Sequence, residues 1–137
     1  MSIDVKLEKN TVDRKWFNPS PLFLPYSLRM SCFAEAMQDV YDFLYNVNKL
    51  LLEEGLQRLG DMLRPAAMSG IISDMLTARL AHHTLSLCEN RHFNGHPDLI
   101  VKGVYPNDSV AAGREGIEIK STSKKGGAVD THGARDQ

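Results

Sequence analysis

Three residues in the second half of the chain are of types, and at spacings, that could do chemistry together. Asp98 lies in the run His-Pro-Asp-Leu-Ile-Val at 96–101, and Glu118 and Lys120 lie in Gly-Ile-Glu-Ile-Lys at 116–120. Side chains alternate faces along a strand, so Glu118 and Lys120 share one side while Ile117 and Ile119 take the other. Two carboxylates are hard oxygen donors of the kind Mg²⁺ accepts, and Mg²⁺ commonly uses one or two of them, completing its shell with water and phosphate oxygens. Lys120 beside them would orient or deprotonate the attacking water, while the metal offsets charge building up on phosphate. The constellation suits hydrolysis of a phosphodiester.

The order Pro97-Asp98 followed by Glu118-Ile119-Lys120 resembles the signature of the PD-(D/E)XK nuclease superfamily, which includes many type II restriction endonucleases. The resemblance covers about residues 71–137 and leaves the N-terminal half outside it. It implies a DNA endonuclease of restriction type, with Mg²⁺ as cofactor and double-stranded DNA as substrate. Asp98 and Glu118 would be the metal ligands, joined by the backbone carbonyl of Ile119, and Lys120 would serve the water. Lys124 and Lys125 follow at the place where a scissile backbone would lie, and basic side chains there would contact phosphates.

That family has an α-β-β-β-α-β core. This sequence reaches the third strand, and residues 121–137 offer no candidate for the following helix and strand. The expectation is therefore an α+β chain with N-terminal helices packed on a small mixed β-sheet, a restriction-endonuclease-like core truncated after its third strand.

The elements that must hold these residues can be read from periodicity. From Ser31, a candidate cap, Phe33, Met37, Val40, Leu44, Val47 and Leu51 recur at three- and four-residue steps, which predicts a long amphipathic helix with Gly55 and Gly60 at its fraying end. Its surplus apolar residues, Tyr41, Phe43, Tyr45, Leu50 and Leu52, point to helix-on-helix packing within the chain or between subunits, and a homodimer is the expected assembly. Pro65 restarts the chain, and Ala66 to about His82 predicts a second helix with Met68, Ile71, Ile72, Met75, Leu76 and Leu80 inward. Asp74, its one acid, is expected to face solvent rather than join the site. Thr84 to Cys88 alternates and predicts the first strand, turning through 90–95 into the strand of Asp98. Residues 102–115 carry Gly, Pro and Asn-Asp and predict a loop or hairpin before the strand of Glu118.

The whole reads as a single domain, 1–137: an extended arm over 1–30, a helical part over 31–82, a sheet with the motif over 83–122 and a flexible tail over 123–137. Three prolines between Trp16 and Tyr26 forbid helix in the arm, and its aromatic side chains ask for burial against the domain or a partner.

Composition narrows the function classes. With 42% hydrophobic and 24% charged residues the chain has ordinary globular values, and a net charge of −1 excludes a surface coated in positive charge for indiscriminate nucleic-acid binding. Two cysteines, Cys32 and Cys88, make no disulfide framework. No run of about 18 apolar residues is present to span a bilayer, and no signal-peptide pattern opens the chain, so with its unframed cysteines the protein is expected to be soluble and cytoplasmic. Cys88, His92 and His96 repeat every fourth residue, but Gly95 and Pro97 break any helix that would gather them around zinc. Neither a Walker-type phosphate loop nor a Gly-x-Ser-x-Gly elbow occurs. A reading of another class stands beside the nuclease one: a non-catalytic, oligomerising interaction protein or inactive nuclease remnant, with Glu118 and Lys120 as a surface pair on a hairpin.

Overall fold

The structure is a computed structural model that describes residues 7–13, 15, 17, 24, 26 and 28–121. Most of the aromatic arm, and the tail with Lys124 and Lys125, lie outside the described residues. The described chain is α+β: N-terminal helices packed against a small three-stranded antiparallel sheet.

Helix α1 spans Met30–Glu53 and packs mainly against α3, Pro65–His82, with the four-residue α2, Leu59–Met62, between them. The apolar periodicity accounts for this pairing, because it gives each long helix one face to remove from water. Ala36 and Val40 of α1 and Leu80 of α3 are buried on the facing sides. Ser31 does not cap α1. Arg29 holds the cap position with no side-chain bond, and its carbonyl accepts the Cys32 amide at 2.9 Å. The helix closes at Glu53, ahead of Gly55, whose φ of +78° belongs to the left-handed region that glycine enters without a Cβ clash. Gly60 falls inside α2 rather than in a frayed end of α1. Asp74 is exposed, as expected.

The sheet runs in the order β1 (Leu87–Glu89), β2 (Leu99–Val101), β3 (Gly116–Ile117), with both pairs antiparallel. This corrects the expectation of a mixed sheet. The links between consecutive strands are loops without a crossover helix, and only such a crossover would bring neighbours in parallel. The first strand also starts later than the Thr84–Cys88 alternation suggested. Thr84 lies just past the end of α3, donating its amide back to Ala81 O, and Leu85 is 95% exposed, so pairing begins at Leu87 opposite Val101.

One face of the sheet closes the core. Leu87 and Leu99 are fully buried with Leu28, Ala36 and Leu80, and Leu24, Tyr26, Val101, Ile117 and Ile119 pack around them. The described part of the arm thus covers the chain's own core. Tyr26 secures it: its hydroxyl accepts the Gly116 amide at 3.0 Å and donates to Glu115 Oε2 at 3.3 Å, and its carbonyl accepts from the Ser86 hydroxyl. Beyond β3 the chain stays docked on α3, because the Ser121 hydroxyl donates to Ser69 O at 2.8 Å and lies 2.9 Å from the Ser73 hydroxyl.

Candidate functional site

The site is assembled at the end of the β2–β3 ladder, on the face turned away from the helices. Leu99 pairs with Ile117 and Ile100 with Gly116, so one further step of the same register sets Asp98 directly opposite Glu118. Parity confirms the face. Exposure alternates from Ile117 to Ser121, with Glu118 and Lys120 outward and Ile117, Ile119 and Ser121 against the core side. Asp98 lies two residues before Ile100 and so on that same side of the sheet, which is covered at Ile100 and opens at the ladder's end.

None of the three residues sits within a hydrogen-bonded strand, contrary to the expectation that strands would carry them. Asp98 immediately precedes β2, and β3 ends at Ile117. Continued pairing would match Ile119 with Pro97. Proline has no amide to donate, and the Pro97 carbonyl is taken by Asn90 Nδ2 at 3.0 Å. The Ile119 amide turns instead to the Asp98 side chain, donating to Oδ2 at 2.7 Å. The carboxylate therefore completes the ladder that proline interrupts, and this fixes its position relative to Glu118.

Asn90 is the hub of the surrounding loops. Its amide nitrogen also donates to Val110 O at 2.8 Å, its Oδ1 accepts the amides of His92 and Val110 at 3.1 Å each, and its own backbone amide donates to Asp98 O at 2.9 Å. The loop of residues 91–98 is thereby tied to 109–113, and the ties continue through His96 N to Ala111 O at 3.0 Å and Gly113 N to His96 O at 2.7 Å. Two glycines permit this closeness. A Cβ at Gly95 would lie 2.5 Å from Val110 O and 2.6 Å from Asn90 Nδ2, and one at Gly116 would lie 2.0 Å from the Leu99 carbonyl oxygen.

Electrostatics mark Asp98 as the unusual group. Its carboxyl is pushed above its ordinary value of 3.8, first by desolvation and then by the charge of Glu118, whose carboxyl is within hydrogen-bonding reach. The Ile119 amide and the Lys120 charge pull in the other direction and do not prevail. Opposed like charges on neighbouring strands are an energetic liability that a bound cation or a shared proton relieves.

The donor set fits a hard divalent cation. Asp98 spends one oxygen on the Ile119 amide and Glu118 spends one on His96, which leaves each carboxylate a second oxygen. Among the described residues no three His, Cys, Asp or Glu side chains are grouped to hold a metal, so Cys88, His92 and His96 do not converge on a zinc site. Two carboxylates with open positions match Mg²⁺, which keeps water and phosphate in its shell.

Two features lay beyond sequence reasoning. His96 Nδ1 lies 3.2 Å from Glu118 Oε2, whereas His92 Nδ1 turns to the Phe93 carbonyl at 2.8 Å. A second cluster joins the helices: Asp39 Oδ2 accepts from Arg79 Nε at 2.7 Å and lies 2.7 Å from His83 Nε2, and His83 Nδ1 lies 3.0 Å from Glu35. His96 carried one signal, its place two residues before Asp98. The helix cluster carried none, since its partners are 40 or more positions apart. Compared with known proteins, the chain matches no family model, no curated protein and no solved structure.

Proposed function

We propose that this chain is a Mg²⁺-dependent DNA endonuclease domain of restriction type, hydrolysing phosphodiester bonds of double-stranded DNA as a cytoplasmic homodimer around a restriction-endonuclease-like core. One observation carries the reading: Asp98 and Glu118 are held opposite each other at the end of an antiparallel ladder, with the Asp98 carboxyl pushed up in part by its neighbour. Like charges set facing each other are a liability that a bound divalent cation would relieve, which is the arrangement a phosphate-processing metal site would use.

In this reading Asp98 and Glu118 would hold the metal with their remaining oxygens, joined by the Ile119 carbonyl. When bound, Mg²⁺ would supply positive charge against the phosphate and lower the pKa of the attacking water. Lys120, on the same face, would orient that water and take its proton. The Ile119 amide holds the Asp98 carboxylate in place throughout, so the ligand geometry does not have to form when DNA arrives. Lys124 and Lys125 contact the DNA backbone.

The test is cleavage of plasmid DNA with and without Mg²⁺. Wild-type protein nicks or linearises the plasmid only with the metal, and Asp98→Ala and Lys120→Ala leave little activity. Cleavage unchanged in either variant refutes the assignment. A second reading, a non-catalytic oligomerising protein, is favoured by Phe43, Leu50, Leu56 and Met62, which are exposed on α1, on α2 and between them. A stable oligomer by light scattering that binds neither Mg²⁺ nor DNA selects that reading.

A further inference from the structure

Resting on the proposed metal site, we infer that His96 is a positioning residue that sets the orientation of the Glu118 carboxylate for metal binding. The imidazole is about half exposed, yet its backbone is held on both sides. Its amide donates to Ala111 O, its carbonyl accepts from Gly113 N, and His96 bridges to Ala112. The neighbouring Pro97 is buried. The side chain therefore leaves from a fixed point, and its Nδ1 meets Glu118 Oε2 at 3.2 Å.

A carboxylate only accepts, so Nδ1 carries the hydrogen in this contact. The neutral Nδ1–H tautomer and the imidazolium both provide it, and the role does not depend on the charge of the ring. Glu118 faces a like charge in Asp98 and is exposed to water, so an unrestrained side chain would swing outward and separate the two carboxylates. A donor on the Glu118 side opposes that swing, as the Ile119 amide does for Asp98. The two ligands are thus each fixed through one oxygen, and the other oxygen is left for the cation. Donors behind metal-binding carboxylates typically alter affinity by about 10–100-fold when removed.

The experiment is calorimetric titration of Mg²⁺ into the full chain, wild type against His96→Ala and His96→Asn, with Glu118→Gln as the ligand control and circular dichroism to follow the fold. The asparagine amide places a donor close to where Nδ1 stood. Wild type binds Mg²⁺, H96A binds about tenfold or more weakly, H96N recovers most of the loss, and E118Q abolishes binding. Saturating Mg²⁺ then restores H96A plasmid cleavage towards the wild-type rate, because His96 touches no reacting atom. Equal affinity of wild type and H96A overturns the inference and leaves the metal site standing. Failure of H96N to recover overturns the donor role, whether or not H96A keeps its fold. Absence of Mg²⁺ binding in wild type overturns the metal site itself, and the role of His96 with it.

Discussion

Asp98→Asn separates the proposed metal binding from stability. Asparagine keeps an oxygen for the Ile119 amide, so the ladder end can survive, but it removes the charge that faces Glu118. Two unit charges about 5 Å apart at an effective dielectric of 20 repel by roughly 3 kcal/mol. Glu118 is exposed and the pair lies at the sheet rim, so screening reduces this towards the roughly 0.2–1 kcal/mol of ordinary cross-strand pairs. Against the gain, the Ile119 hydrogen bond loses its charge assistance, about 1 kcal/mol, and the attraction of Lys120 disappears. The upward shift of the Asp98 carboxyl decides the balance, because it means that the folded site prefers the neutral form. Asp98→Asn should therefore be at least as stable as wild type at pH 7 without metal, by a margin of about 0–1 kcal/mol, or about 0–4 °C in Tm.

The pH dependence has a definite sign. With its folded pKa above the unfolded value, Asp98 holds its proton more tightly in the native chain, so it subtracts stability as pH rises through the window that opens near 3.8 and extends above it. Urea unfolding followed by circular dichroism between pH 3.5 and 8, as chosen conditions, should show this loss in wild type and a flatter profile in the variant. Mg²⁺ should stabilise wild type and not the variant. An Asp98→Asn protein less stable than wild type at pH 7, with the wild-type pH slope intact, would refute the opposition of Asp98 and Glu118.

Asp39→Asn should cost about 1 kcal/mol at pH 7 in urea unfolding. Burial raises the Asp39 carboxyl, but hydrogen bonds from His83 and Arg79 outweigh it and hold the group below 3.8, so its contribution is present above that value and fades as pH falls through the lowered one. Leu80→Ala, which empties a fully buried position in the core cluster of Leu28, Ala36, Leu87 and Leu99, should cost about 2–5 kcal/mol by thermal or urea unfolding. Asn90→Ala strips the partners from both polar groups of Val110 and from the Pro97 carbonyl, and should cost about 1–3 kcal/mol with an unchanged urea m-value. Its Mg²⁺ affinity, read by calorimetry, should fall as the loop bearing Asp98 loosens.

How much of this was legible depends on what periodicity can report. The two long helices were readable to within a residue at their starts, Ser31 against Met30 and Ala66 against Pro65, because burying one apolar face leaves a 3.6-residue imprint. The split of Gly-Ile-Glu-Ile-Lys into Ile117 and Ile119 on the core side and Glu118 and Lys120 on the other was readable for the same reason at a period of two. The strand lengths were not. Pairing at Leu87, and its end at Ile117, depend on which backbone groups find partners across the sheet, and Pro97 and Asn90 decide that together.

The helices, the inward and outward faces near the motif, and the kind of chemistry open to Asp98, Glu118 and Lys120 thus follow from residue order. Folding in three dimensions sets Asp98 opposite Glu118, gives the Ile119 amide a carboxylate rather than a carbonyl as its partner, and brings His96 to Glu118 across 22 positions. The face a residue takes follows from local geometry that its neighbours in sequence record. The residue it meets depends on register, set here by Asn90 tying residues 97 and 110 together and by glycines 95 and 116 allowing close approach, and no local pattern encodes that closure.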